Sequence, residues 1–270
     1  MKPRHAPQII TLTTDFGLTD HYVGTMKGVL LKRCPKAQII DISHEIPPFS
    51  LYAGAYAISQ AAPFFPTASI HVVVVDPGVG TTRRALLAQA NKQYFIAPDN
   101  GVLSLVLLHQ KNVRIREITN RKLWQNPVSD TFHGRDVFAP AAAALASGMA
   151  KPDDVGPELE QITMLPDLEP FEDQKGQWRG RILSVDHFGN VITNFRRDQF
   201  PGISPGNFTL SAGERQVTEF RTTFGDAPKG LCFAYFGSSG YVEIGINQSS
   251  AAEYLGVAAG DTVTLQVTID

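Results

Sequence analysis

Along the first 165 positions, short and nearly continuous apolar runs alternate with longer stretches at helical spacing. QIITLTTD, AQIIDIS and ASIHVVVVD predict strands, and the unbroken valines of the third suit a parallel strand covered on both faces. YVGTMKGVLLKRC, SLYAGAYAISQAAPFF (ended by Pro66), GVLSLVLLH and DVFAPAAAALASGM carry the 3.6-residue period of helices. ALLAQA and QYFIAPD predict a strand pair joined at Asn91-Lys92, and VRIREI a further strand. Strands alternating with helices predict an α/β domain with a doubly wound, mostly parallel sheet.

Beyond residue 150 the pattern changes. KPDDVGPELEQITMLPDLEPFEDQKGQ has no useful period and is rich in proline and acid. After it, short β-type runs are separated by Gly, Pro and Asn: RGRILSVDHFGNVITNF, GNFTLSA, GLCFAYFGSSGYVEIGI and DTVTLQVTID. That rhythm predicts an all-β barrel or sandwich. The expected organisation is an α/β domain over 1–165, a linker over 166–178 and a β-barrel domain over 179–270.

Charge and composition exclude more than they assign. The formal net charge is −2, which supplies no basic field for nucleic acid or an anionic membrane. No apolar run approaches the ~18 residues of a membrane span. The opening MKPRHAPQIITLTTDFG passes from early positive charges into a strand, without the apolar stretch of a signal peptide, so a cytoplasmic protein is expected. Cys34 and Cys232 match no metal or redox spacing and read as plain thiols.

Ligands of open α/β sheets bind beyond the carboxyl ends of the strands. There the sequence places Asp15, His44, Glu45 and Asp76, while TFHGRDVF brings Phe132, His133, Gly134, Arg135 and Asp136 to a helix start. Asp15 and Asp20 suit helix caps, and Asp15 equally suits paired hydroxyls of a diol. Asp76 with Arg83 reads as a structural ion pair or as part of a site. No HxxxH, HxH or CxxC spacing supports a metal among Asp15, Asp20, His21, His44, His133 and Asp136, and none is expected. The glycines of DPGVG lack the GK[ST] of a phosphate loop, and no GxSxG serine is present. In the second half, Phe188 and Phe236 flank Asp, Asn and Ser groups, an arrangement suited to a planar base.

Taken in order, TTDFG, DISHEIPPF, VVDPGVGTTRR, FHGRDVFAPAAA, VDHFGNVITN and FGSSGYVEIGINQSSAA resemble the S-adenosyl-L-methionine (SAM) hydroxide adenosyltransferases. These SAM hydrolases are relatives of the SAM-dependent fluorinase and chlorinase. The resemblance implies an α/β domain followed by a β-barrel. It also implies a homotrimer that binds SAM between the first domain of one subunit and the second of its neighbour. The implied reaction is attack of water or hydroxide on ribose C5′, giving adenosine and L-methionine without a cofactor. Carried over by motif, Asp76, Arg83 and His133 match the water-activating trio, with either Asp76 or His133 as base. Asp15 matches the ribose carboxylate, and Phe49 an aromatic near the adenosyl group; Phe132 and Gly134 join the binding set. Asp186, Phe188 and Asn190 match groups around the methionine amine and adenine, Ser238 and Ser239 the methionine carboxylate, and Asn247 an adenine contact. Halogenating relatives carry Ser at the position of Gly134 and lack the complete trio. A SAM halogenase and a non-catalytic SAM or adenosine binder are the competing readings.

Overall fold

The computed structural model describes residues 8–267. The chain forms two compact units, Met1–Leu165 and Pro166–Asp270. The first is built on β1 (Ile9–Thr14), β2 (Gln38–Ser43), β3 (Ile70–Val74), β4 (Ala85–Ala90), β5 (Gln93–Pro98) and β6 (Arg114–Glu117). They form one six-stranded sheet in the order β2-β1-β3-β5-β4-β6. Strands β2, β1, β3 and β5 are parallel, whereas β4 runs antiparallel to β5 and β6, so the sheet is mixed.

Strand β3 shows why its sequence is unbroken. All five of its residues are buried. Ile70, Val72 and Val74 share a core with Met26 and Leu30 of α1 (Tyr22–Arg33) and with the alanines of α4 (Ala139–Ala146). Val75, facing the other way, meets α2 (Leu51–Ala61): a Cβ on Gly54 would lie 3.0 Å from a Val75 methyl and 3.1 Å from Val102. A side chain on Gly54 would push the helix off the sheet. The single helix predicted around DVFAPAAAALASGM divides into a π-type turn, Gly134–Phe138, and α4. Such widened turns concentrate at functional sites. Of the predicted GVLSLVLLH helix only α3 (Ser104–Leu107) is α-helical.

The second unit is all-β apart from short helical turns. Its strands are β7 (Phe171–Gln174), β8 (Gln177–Val185), β9 (Val191–Arg196), β10 (Phe208–Ala212), β11 (Arg215–Val217), β12 (Cys232–Phe236), β13 (Tyr241–Ile246) and β14 (Thr262–Val267). They pair in the order β11-β10-β14-β8-β9-β13-β12, with β7 alongside β8, and every named pairing is antiparallel. A bridge between Phe220 and Ala234 ties the segment after β11 to β12, which nearly closes the sheet into a barrel. Ile182, Phe195, Leu210, Ile244 and Leu265 fill its core.

The span 166–178, expected as a linker, carries β7 and the start of β8 instead. All four residues of β7, FEDQ, are exposed, so they lack the alternation that marks a strand in sequence. Asn194 fastens the same span by donating its amide to the carbonyls of Asp167 and Leu168.

In the first unit Phe95 is fully buried, its ring stacked on His71 at 4.9 Å between centroids. Phe95→Ala should cost about 3–5 kcal/mol, read as a lower denaturant midpoint at unchanged slope. An unchanged midpoint would show that the layer between α2 and the sheet is not close-packed.

Candidate active site

The peptide leaving β3 reaches the carboxyl end of the sheet at Asp76 and then curls through Pro77-Gly78-Val79-Gly80. The curl is held locally: Val79 N–H donates to the Asp76 carbonyl, and Thr81 N–H and Oγ1 both donate to the Gly78 carbonyl. Arg83 N–H in turn donates to Thr81 Oγ1. Gly80 lies at φ +79°, and a Cβ there would approach the Asp130 carbonyl to 2.5 Å. Glycine thus lets this loop close on the 130 loop, which carries His133.

The Arg83 side chain returns to Asp76. Its Nε donates to both Asp76 oxygens at 3.0 Å, and one terminal nitrogen donates to Oδ2 at 2.5 Å. The same terminal nitrogen stands 2.8 Å from His133 Nδ1. Arginine has no acceptor, so Nδ1 must accept, and neutral His133 carries its proton on Nε2. The guanidinium also lies over the Phe138 ring at 5.2 Å, within cation–π range. The Asp76 and Arg83 side chains are only 5% and 9% exposed, so removing either strands a buried charge at about 3–5 kcal/mol. Burial first, and the Arg83 charge second, push the His133 imidazole below its ordinary value. Arg84 takes no part: it pairs with Asp99 and donates to the Gln161 carbonyl.

Asp15, just beyond β1, belongs to the same rim. Burial pushes its carboxyl up, with a smaller contribution from the Asp76 charge, while the Phe49 N–H partly offsets both. That N–H donates to Asp15 Oδ2 at 2.8 Å. Phe49 adopts φ +67°, a left-handed conformation costly for a bulky residue, and the residue is 69% exposed. Phe132 is buried in edge-on contact with Phe16 and Tyr22. Gly134 packs against that cluster: a Cβ would meet Met26 Sδ at 3.1 Å and the Phe132 ring at 3.3 Å. His44 Nδ1 is bonded to Thr14 Oγ1, and its Nε2 lies 3.0 Å from Asp41 Oδ1. Asp136 pairs with Arg135 and accepts from Ser129 N–H. Among the described residues no group of three or more His, Cys, Asp or Glu has the arrangement of a metal site. A cavity of about 720 Å³ lies at the opposite end of the sheet, lined by Ile70, Tyr94 and Cys34, away from these groups.

The second unit holds a cleft of about 700 Å³ lined by Asp186, Phe188, Asn190, Phe224, Ile246 and the 248–250 serine-rich turn. Asp186 organises the β8–β9 hairpin. Its Oδ1 accepts from Phe188 and Asn190 N–H, and Oδ2 accepts from the Asn190 amide. Phe188 is 76% exposed and forms one wall; Phe224 was not singled out from sequence. Asn247 does not line this cleft, because its amide donates to the Ala227 carbonyl. Ser238 is exposed at the β12–β13 turn, and Ser239 Oγ stands 3.5 Å from Glu243 Oε1. Glu243 also escaped the sequence reading; its signal was a lone acid in the apolar run YVEIGI.

The chain matches the family models described as SAM hydroxide adenosyltransferase N-terminal domain, over residues 10–156, and C-terminal domain, over 180–264. It is 40% identical to the (R)-S-adenosyl-L-methionine hydrolase of Thermus thermophilus, covering 93% of this chain and 97% of that protein. A fluorinase from Nocardia brasiliensis is 28% identical, with 96% and 97% covered. The solved structure of an uncharacterised conserved protein from Thermotoga maritima superposes with TM-score 0.85 at 37% identity, covering 95% and 99%. Both matched domains follow in the same order as the two units built above, and the chain belongs to the SAM hydroxide adenosyltransferase family.

Proposed function

We propose that this enzyme hydrolyses S-adenosyl-L-methionine to adenosine and L-methionine, with Asp76, Arg83 and His133 handling the attacking water. The observation that carries this reading is the single guanidinium bonded to both Asp76 and His133 Nδ1. With Nδ1 occupied, His133 offers only an Nε2–H and orients the water as a donor. The role of base then falls to Asp76, whose oxygens retain lone pairs beyond those facing Arg83. The water oxygen bonds C5′ as the C5′–S bond breaks, and its proton passes to the carboxylate. The sulfur keeps the bonding pair and departs as a neutral thioether, so no acid is needed on that side. Arg83 stays protonated and stabilises the developing hydroxide, an effect enlarged where water is excluded.

Asp15 would hold the ribose hydroxyls, with Phe49, Phe132 and Gly134 shaping the adenosyl side. Asp186, Phe188, Asn190, Ser238, Ser239 and Asn247 would receive adenine and the amino-acid tail from the second unit. Asn247 would act there indirectly, since its amide braces the Ala227 carbonyl. The tight contacts at Gly134 leave little room for the serine of halogenating relatives, which favours water over halide. The Thermus relative is named for the (R) sulfonium epimer, and we extend that preference to this chain. A homotrimer with sites shared between neighbouring subunits, a cytoplasmic setting and independence from metals and cofactors complete the proposal. No helix among the described residues is long and apolar enough to cross a membrane.

Purified enzyme incubated with each SAM epimer should release adenosine and methionine in equal amounts, with or without a chelator. Asp76→Asn should lower kcat by about 10²–10⁴-fold, the usual share of general-base help. Halogenated nucleoside in chloride buffer, or bound SAM without turnover, would transfer the assignment to a competing reading.

His133 must be neutral to accept from Arg83, and its pKa is depressed. The acid limb of kcat should therefore fall below pH 6.5, the ordinary histidine value, with full activity above it. A limb centred above that value would rule out this tautomer.

Mixing inactive Asp76→Ala and Asp186→Ala subunits under exchange should restore up to about a quarter of wild-type activity, as random heterologous pairing of a cyclic assembly predicts. No recovery despite demonstrated exchange would place both halves of each site in one subunit.

A further inference from the structure

The β12–β13 hairpin contains a buried carboxylate that the water-activating chemistry does not use. Glu243 is 8% exposed and sits in register directly opposite Tyr235. The Tyr235 hydroxyl donates to Glu243 Oε2 at 2.7 Å, and Ser239 Oγ approaches Oε1 at 3.5 Å. The turn backbone closes over the same group. A Cβ on Gly237 would fall 1.8 Å from Oε1 and 2.2 Å from Cδ, so only glycine allows the turn to settle there. Gly237 N–H meanwhile donates to the Tyr241 carbonyl, and Gly240 N–H to that of Gly237, completing a tight turn around Ser238 and Ser239. Burial raises the Glu243 carboxyl, Tyr235 opposes that, and the Asp186 charge adds to it, which places the two acids in one electrostatic neighbourhood.

A carboxylate in an apolar strand is costly to bury, and two hydroxyls on the turn side meet only part of that cost. It lies beneath the serine turn and within the field of Asp186. We infer that Glu243 is a positioning residue: it fixes the Ser238–Ser239 turn and, with Asp186, makes this end of the site selective for an ammonium-bearing substrate tail. It rests on the proposed SAM hydrolysis for the identity of that tail. The chemistry recognised is a primary ammonium beside the sulfonium arm. A neutral or purely anionic tail would meet unfavourable charge.

Glu243→Gln preserves size and an acceptor for Tyr235 while removing the charge. For SAM it should raise KM about tenfold or more with kcat within twofold, the split expected when ground-state and transition-state binding weaken alike. The KM of a desamino analogue that keeps the carboxylate should fall in the variant, because the like charge facing its anionic tail is gone. Tyr235→Phe, which removes one support from Glu243, should move KM for SAM in the same direction by a smaller factor. Equilibrium binding decides the matter independently of turnover: Glu243→Gln should weaken SAM and leave adenosine unaffected. An unchanged SAM affinity, or equal weakening of SAM and the desamino analogue, would overturn the inference. Wild-type protein that binds SAM without hydrolysing it would sink the hydrolase reading alone and leave the role of Glu243 to the binding comparison.

Discussion

One guanidinium holds two groups that would otherwise be free to turn. Arg83 meets Asp76 through three hydrogen bonds and gives one of the same nitrogens to His133. A carboxylate alone at the end of a buried strand would face a large desolvation cost, and an imidazole alone could adopt either tautomer. Pairing removes the first problem and decides the second. The rest of the first unit supplies what that pairing needs. A strand buried on both faces cannot shift Asp76, a glycine turn brings the next loop within contact, and a π-type turn begins directly after His133.

The electrostatics of the rim follow from this arrangement. Asp76 has its counter-charge beside it, whereas Asp15 lies nearby and is met by the backbone N–H groups of Phe49 and of Asp15 itself. Two carboxylates on one rim are thus set apart by environment: one is ion-paired, and burial raises the other. Separated environments allow chemically identical groups to take different tasks. Phe49 follows the same logic in the backbone, since its left-handed conformation is the geometry that delivers its N–H to Asp15.

How much of this was legible in the sequence depended on whether a residue's task was local. The valines of β3 announced burial on both faces, and Asp76 at that strand's end with Arg83 read as a pair. The capping pattern of Ser250 and Glu253 was present but unread, although it opens the short helix Ala251–Leu255, with Ser250 accepting from Glu253 N–H. Strand β7 was hidden because an all-exposed edge strand has no apolar face to reveal it. Asn247 matched a family motif, yet its amide holds a loop carbonyl, a tertiary contact that no local pattern encodes. Glu243 was unreadable for the same reason: its partners are met only when Tyr235 is set across from it.

Arg83 and Arg84 stand side by side in the chain and serve opposite sides of the loop. One closes the trio; the other clasps Asp99 and the Gln161 carbonyl, fastening the strap that leads out of the unit. Both ends of this arrangement are charge-matched, so a one-residue deletion between Pro77 and Thr82 would bring Arg84 to the place of Arg83 and Ala85 to the place of Arg84. The tolerance of this loop is therefore a matter of counting: side chains within it can vary where they make no contact, but its length cannot. A single deletion there would leave one arginine to serve two tasks, while the composition of the protein remained almost the same.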